Sequence, residues 1–459
     1  MSLGLRLRRR PPPLLTRNGL PATTGQGSGN HLVTLRFHTA TALFQAQHQP
    51  HLAPGIATYN RQMLKTPPLT LYVHLPWCVR KCPYCDFNSH QARGELPFDA
   101  YVDALLADLD HDLPLVWGRP VHAVFFGGGT PSLFPPAAID RFLQGAAARL
   151  RFMPGLEVTL ETNPGTAEHG RFPDYLAAGV NRLSFGIQSF DDGCLQRLGR
   201  IHDSAQAEAA VRLAQDAGFD NFNLDLMYAL PGQDLAMAEH DIERAIALDP
   251  AHISHYQLTL EPNTLFAARP PSGIPDDDLA WSMQEACQAR LAAAGYQHYE
   301  ISGYARPGRQ CAHNLNYWRY GDYLGIGAGA HGKLTLGAEQ AILRRWKVKH
   351  PTAWLSVAGT DAAIGGDERV APSQRPFEYA LNVLRLREGF RLEDFEARCG
   401  LDRSAIAEPL DRARRNGWLH EQGDRIVTTA LGERFTNDVM ELFLQDDEPA
   451  RDPDPATHR

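Results

Sequence analysis

Nowhere in the 459 residues does an apolar run approach the roughly twenty residues that a membrane-spanning helix needs. The expectation is therefore a soluble, cytoplasmic protein. Cysteine is sparse too. There are seven, an odd number, and three of them crowd into eight positions. That excludes the paired framework of a small secreted domain and points to a reducing compartment. Acidic residues are missing altogether from positions 1–62, which carry seven arginines. The rest of the chain then holds 38 of the 45 basic residues against all 53 acidic ones, a net of −15. So acidic a body is a poor general nucleic-acid binder.

What is present divides by texture. Residues 1–62 contain RRRPPP and scattered Ser, Thr, Gln and Gly without sustained periodicity. This reads as a disordered or spurious extension, with Met63 as the natural start. An organellar transit peptide is the alternative, since the segment is Arg-rich and acid-free. A secretory signal is excluded, because no apolar core follows the arginines. At 43% apolar residues the rest can bury a large core in two or three domains.

From Leu69 onward, strand and helix patterns alternate. Strands are expected at Leu71–Leu75, Val121–Phe126, Leu156–Leu160, Arg182–Ile187, Phe222–Leu230 and His252–Leu260. Helices are expected at Phe98–Leu109, Ala137–Leu150, Phe172–Ala178, Ser204–Ala217 and Leu235–Leu248. Six β/α units in succession imply a parallel sheet, whose chemistry gathers at the C-terminal strand ends. A long helix, Asp276–Ala294, and an edge strand, Gln297–Ser302, follow. In residues 303–335 glycine and aromatics dominate and periodicity fails, which reads as a loop laid over a site. Residues 375–446 read as three helices and a β-like pair, a winged-helix pattern. Its Arg412, Arg414 and Arg415 sit among charges of both signs and fit a solvated face better than a DNA-reading helix.

The chemistry centres on Cys78, Cys82 and Cys85, spaced C-x3-C-x2-C on the loop that Pro76 opens after the first strand. Thiolates select zinc, copper(I) or iron–sulfur clusters. A closed zinc site usually needs four ligands, and here only His74 or His90 offers the fourth. Three thiols without a fourth instead fit an iron–sulfur cube with one iron open. Gly127–Pro131, GGGTP, follows the second strand and lets the backbone approach a ligand closely. Glu161 closes the third strand, Gln188 the fourth, and Arg200 follows shortly after. Asp225 lies inside the apolar run FNLDLMYAL, where burying it unpaired would be costly.

Together these motifs resemble the radical S-adenosylmethionine (SAM) superfamily, and within it the oxygen-independent coproporphyrinogen III dehydrogenase-like branch, from about Leu69 to Leu444. The resemblance implies a partial (β/α)6 barrel of TIM type with a C-terminal winged-helix-like domain. It divides the chain into an extension at 1–62, a radical SAM core at 63–302, a Gly/aromatic-rich haem-contact region at 303–374, a C-terminal domain at 375–446 and a disordered tail at 447–459. It assigns Cys78, Cys82 and Cys85 to a [4Fe–4S] cluster, and Tyr72, Tyr84, Gly128, Gly129, Thr130, Glu161, Gln188, Arg200 and Asp225 to SAM.

Two functions compete inside the branch. The dehydrogenase extends its motif to C-x3-C-x2-C-x-C, whereas this chain has Phe87 at the last position. The chain is more similar to the branch's haem chaperones, which share the pattern H-N-x-x-Y-W seen here as His313, Asn314, Tyr317 and Trp318. That resemblance implies haem as bound cargo, with His313 as an axial ligand candidate. It also implies a reductant protein, haem-requiring respiratory proteins at the membrane as recipients, and a homodimer. A zinc-stabilised binding protein without radical chemistry is the reading from outside the branch.

Overall fold

The computed structural model describes residues 62–165 and 171–444, plus a two-residue antiparallel pairing of Arg6–Leu7 with Val33–Thr34. The remainder of the expected extension at 1–62, and the expected tail from 447, lie outside the described residues. Six strands form the parallel frame: β1 (Leu69–Leu75), β2 (Pro120–Gly128), β3 (Arg151–Thr162), β4 (Arg182–Gln188), β5 (Phe222–Tyr228) and β6 (His252–Gln257). Each pairs in parallel with the next. The crossovers carry helices α1 (Phe98–Val116), α2 (Pro136–Ala147), α3 (Phe172–Ala177), α4 (Asp192–Arg197), α5 (Ser204–Asp216) and α6 (Leu235–Ala247).

Local chemistry sets the helix starts. Asp203 caps α5 in a reciprocal box with Gln206, and Asp234 caps α6 by accepting from the Met237 amide. One hydrophobic core runs under the array, with Leu71, Val73, Phe126, Leu160, Phe185, Leu224 and Ile253 all essentially inaccessible.

The array does not close. β6 is flanked by an antiparallel hairpin, β7 (Gln297–Glu300) and β8 (Gly303–Ala305). β1 is flanked by β9 (Asp322–Ile326), which runs parallel to it, and then by the antiparallel strands β10 (His331–Leu336), β11 (Ala341–Lys347) and β12 (Ile364–Arg369). The result is one open twelve-stranded sheet, an α/β partial barrel rather than a ring; helices α7 (Leu265–Ala268) and α8 (Asp277–Ala293) follow β6, and α10 (Pro351–Leu355) lies between β11 and β12.

Residues 303–335 are a correction to the sequence reading. They form β8, the short helix α9 (Ala312–Trp318), β9 and most of β10, not an overlying loop. The glycines there serve close backbone approach: a Cβ on Gly325 would collide with the backbone of His331 across the hairpin. The division expected at 302/303 falls between two paired strands.

Past the sheet, α11 (Arg375–Val383), α12 (Leu392–Cys399), α13 (Ala407–Arg415) and the hairpin β13 (Leu419–Gln422)–β14 (Arg425–Thr428) gather a second core around Tyr379, Phe390, Phe395 and Ile406. Tyr320, in the turn between α9 and β9, and Ile342 on β11 belong to that core as well. On α13, Arg414 is held by Asp411 and Glu421.

Candidate functional site

The site lies at the C-terminal ends of the parallel strands. β1 ends at Leu75, and the loop that follows carries Cys78, Cys82 and Cys85, all reduced and partly accessible. A ladder of Trp77–Cys78 against His90–Gln91 fastens both ends of that loop. Lys81 Nζ donates to the Phe87 and Ser89 carbonyls at 3.0 and 3.2 Å, and the Phe266 amide donates to Pro83 O at 3.0 Å. Burial pushes the Cys78 thiol up to about 11; hydrogen bonding from Thr130 opposes this, while Cys85 and Cys82 push it further. Cys78 thus senses the other two sulfurs, and ionising it calls for a positive partner such as a metal cluster.

The zinc reading finds no support. Both ring nitrogens of His74 are engaged, with Tyr72 Oη at 3.1 Å and the Asn88 carbonyl at 2.9 Å. Burial lowers its pKa to about 4, so it stays neutral. His90 Nε2 lies 3.2 Å from Asn88 Oδ1. Among the described residues no three His, Cys, Asp or Glu side chains are arranged to hold a single metal ion.

Beside the loop lies the glycine run at the end of β2. The Gly129 amide donates to Leu75 O at 2.8 Å and the Thr130 amide to Trp77 O at 2.7 Å. A Cβ on Gly128, where φ is +117°, would stand 2.5 Å from the His74 ring, and one on Gly129 2.5 Å from Trp77 O. These glycines therefore let β2 lie flush against the cysteine loop.

A hydrogen-bonded circuit then joins the loop to β3 and β4. The Thr130 hydroxyl reaches Cys78 and accepts from Asn163 Nδ2 at 2.8 Å. Asn163 Oδ1 accepts from Arg200 Nη2, which also donates to Gly186 O at 2.6 Å. Arg200 Nη1 lies 3.5 Å from Cys82 Sγ. Two of the three thiols are thereby linked through Thr130, Asn163 and Arg200. The bare Cα of Gly186 makes room, since a Cβ there would stand 2.7 Å from Asn163 Oδ1. Gly199 (φ +73°) turns the chain so that Arg200 faces inward and Pro83 packs above.

Glu161 and Asp225 face the same interior. Glu161 Oε2 accepts from the Gly128 amide at 3.1 Å; burial, reinforced by Asp225, raises its pKa to about 7. Asp225 accepts from Ser184 Oγ at 3.1 Å and Asn223 Nδ2 at 2.9 Å, and burial raises it as well. Gln188 ends β4 in the left-handed region (φ +74°), a costly conformation for a residue with a side chain, and accepts from Tyr256 Oη at 2.8 Å. Tyr84 packs against Phe266 in a small apolar cluster with Tyr256. Carboxylates, an amide and a guanidinium around one space can hold ribose hydroxyls and an amino-acid group.

The haem-contact candidates are arranged differently from their expectation. His313 is on α9 rather than a glycine loop, 8% exposed, with its ring stacked on Phe125 at 5.0 Å and Tyr72 at 6.1 Å. Burial lowers it to about 3 and its Nδ1 lacks a hydrogen-bond partner. Trp318 is 2% exposed, with the Arg385 guanidinium 4.3 Å over its ring and Tyr317 edge-on at 4.7 Å. Burial and the Arg385 guanidinium together leave Trp318 without an open ring face. Asn314 and Tyr317 are partly accessible.

Sequence reasoning missed Asn163, Ser184, Asn223, Tyr256 and Phe125. A signal existed. β4 (RLSFGIQ), β5 (FNLDLMY) and β6 (HISHYQ) alternate polar and apolar residues. A parallel sheet buried on both faces reads apolar throughout, so alternation marks a polar lumen.

Residues 72–245 match the radical SAM superfamily and residues 370–435 the HemN C-terminal domain. Heme chaperone HemW of Escherichia coli is 50% identical over 382 residues, 83% of this chain and 100% of the relative. Its counterpart in Haemophilus influenzae is 48% identical over 389 residues, 84% and 100%. In Mycobacterium tuberculosis the value is 35% over 398 residues, 85% and 97%. The solved structure of coproporphyrinogen III oxidase HemN from Escherichia coli, a radical SAM enzyme, superposes with a TM-score of 0.70 at 24% identity, covering 83% of this chain and 90% of that one. It shares the fold, C-terminal domain included. The chain belongs to the heme chaperone HemW family of the radical SAM superfamily.

Proposed function

We propose that this protein binds haem and hands it to haem-requiring respiratory proteins, with a [4Fe–4S] cluster and SAM as its resident groups. The observation that carries this is the 50% identity to a heme chaperone across that relative's full length. Phe87 agrees, standing where the dehydrogenase motif calls for a further cysteine.

In this reading Cys78, Cys82 and Cys85 hold three corners of the cluster. When bound, such a cluster supplies one electron to SAM. Thr130, Asn163 and Arg200 fix the orientation of the loop. Arg200 is the cation for the SAM carboxylate, and the Gly128–Thr130 backbone flanks its amino group. Glu161 and Asp225 accept from ribose hydroxyls; Tyr72, Tyr84 and Gln188 wall the space and keep water out. His313 contacts haem, with Asn314, Tyr317 and Trp318 around it. A protein reductant, a respiratory recipient at the membrane and a homodimer belong to the same proposal.

One preparation reconstituted anaerobically tests it in two assays: haem transfer to an apo-haem protein, and turnover of coproporphyrinogen III with SAM and a reductant. Transfer without decarboxylation is expected. Decarboxylated product overturns the chaperone assignment in favour of the dehydrogenase.

A further inference from the structure

One level of the barrel interior carries polar atoms that the protein leaves unsatisfied. In the parallel register Tyr72 on β1 stands beside Phe125 on β2, Phe125 beside Thr159 on β3, and Thr159 beside Arg182 on β4. Register partners in a parallel sheet share a face, so these four side chains form one rung. That face is the lumen: Ser184, two residues after Arg182, meets Asp225 across it, and His313 lies on the Tyr72 and Phe125 rings.

Three atoms in this region are buried without a partner: Arg182 Nε, Thr159 Oγ1 and His313 Nδ1. Arg182 is 2% exposed and Thr159 0%. Burial by itself lowers the pKa of a guanidinium. The Cys311 thiol, Glu157, Tyr299 and Asp225 oppose that and hold Arg182 above the ordinary arginine value. They act through space and form no ion pair with it. One Glu157 oxygen, Oε1, is committed elsewhere, accepting from the Ala312 amide at 2.9 Å at the start of α9. An interior arginine cation normally has a carboxylate in its fork.

We propose that Arg182 is the seat of a ligand carboxylate, and that this carboxylate is a propionate of the haem. The inference rests on the haem reading above and deepens it by naming what recognises the cargo's acidic edge. The backbones of Arg182 and of Phe125, whose ring lies under His313, are two strand spacings apart, about 10 Å. That is comparable with the reach from the iron of a haem to its propionate carboxylates. A ring whose iron faces His313 thus brings a propionate to Arg182, with the Thr159 hydroxyl beside it as a further donor. The Tyr72 and Phe125 rings give the apolar wall.

The test is a spectroscopic titration of the full-length, cluster-loaded protein with haem and, separately, with haem dimethyl ester, whose propionates carry no charge. Wild type binds haem about tenfold or more tightly than the ester, as one charge-assisted hydrogen-bonded pair implies. Arg182→Gln brings the ratio close to one, chiefly by weakening haem. His313→Ala weakens both ligands and keeps the ratio. Equal binding of haem and ester by wild type overturns the proposal and needs no variant. An unchanged ratio in Arg182→Gln overturns it as well. If Arg182→Gln does not fold, Arg182→Lys replaces it: the retained charge keeps part of the preference, and an undiminished tenfold ratio refutes the need for the guanidinium fork. A wild-type protein that takes up neither ligand refutes the haem assignment itself.

Discussion

Gly129→Ala is the sharpest test of how the cysteine loop is held. The added Cβ would stand 2.5 Å from the Trp77 carbonyl oxygen and 2.7 Å from the Pro76 carbonyl carbon. Both are backbone atoms at the root of the loop. Ordinary contact requires the two chains to part by about 1 Å. The hydrogen bonds from the Gly129 amide to Leu75 O, 2.8 Å, and from the Thr130 amide to Trp77 O, 2.7 Å, then stretch beyond useful length. Overpacking costs about 1–3 kcal/mol and the two bonds about 1 kcal/mol each, so the expected loss is about 3–5 kcal/mol. Against a native stability of about 5–15 kcal/mol the variant still folds, but the loop shifts and carries Cys78 away from Thr130. Gly127→Ala is the control. Its Cβ meets the Tyr72 ring at 3.0 Å and the Phe125 ring at 3.1 Å, side chains that can yield, for a loss of about 1 kcal/mol. Urea unfolding of the cluster-free proteins measures the loss, and iron and sulfide per chain after reconstitution measures the loop. A Gly129→Ala protein within about 0.5 kcal/mol of wild type, carrying a full cluster, refutes the reasoning.

Three further outcomes are expected. Asn163→Ala breaks the circuit between Thr130 and Arg200, removing one hydrogen bond from each; equilibrium SAM binding drops by about tenfold or more while haem binding stays within about twofold, and an unaltered SAM affinity counts against the circuit. Glu161 titrates near 7 in the folded chain against an ordinary 4.5, so its contribution is full below about 4.5 and is lost as pH rises through 7. Glu161→Gln should therefore gain on wild type in thermal stability between pH 5 and pH 8, and a pH-independent difference argues against a raised carboxyl there. Lys347 is fully buried between Asp108 at 2.6 Å and Asp112 at 2.7 Å, tying β11 to α1. Lys347→Met leaves the buried Asp108 carboxylate without its cation, while Asp112 keeps Arg345 at 2.6 Å; the cost is about 3–5 kcal/mol by denaturant unfolding, and a loss under about 1 kcal/mol contradicts the pairing.

Much of this protein was legible in the chain itself, because the deciding interactions are local. The six-fold β/α alternation sets strands and helices within a few residues of where they lie, since 2.0- and 3.6-residue periodicities are properties of each segment. The triple-cysteine spacing and the glycine run name the loop and its neighbour. Arrangement across the sheet is another matter. That β9 enters beside β1, turning an apparent glycine loop into interior structure, depends on pairing across some 250 residues. Asn163 matters only because β3 and β4 bring Thr130 and Arg200 within reach of it. His313 and Trp318 sit in one motif, yet a helix through them turns the first onto the Tyr72 and Phe125 rings and the second beneath Arg385. Arg182 looks like an ordinary strand arginine until the register lines it up with Thr159, Phe125 and Tyr72. Burial, and hence which polar atoms lack a partner, is a property of the whole packing, and only the tertiary structure decided it.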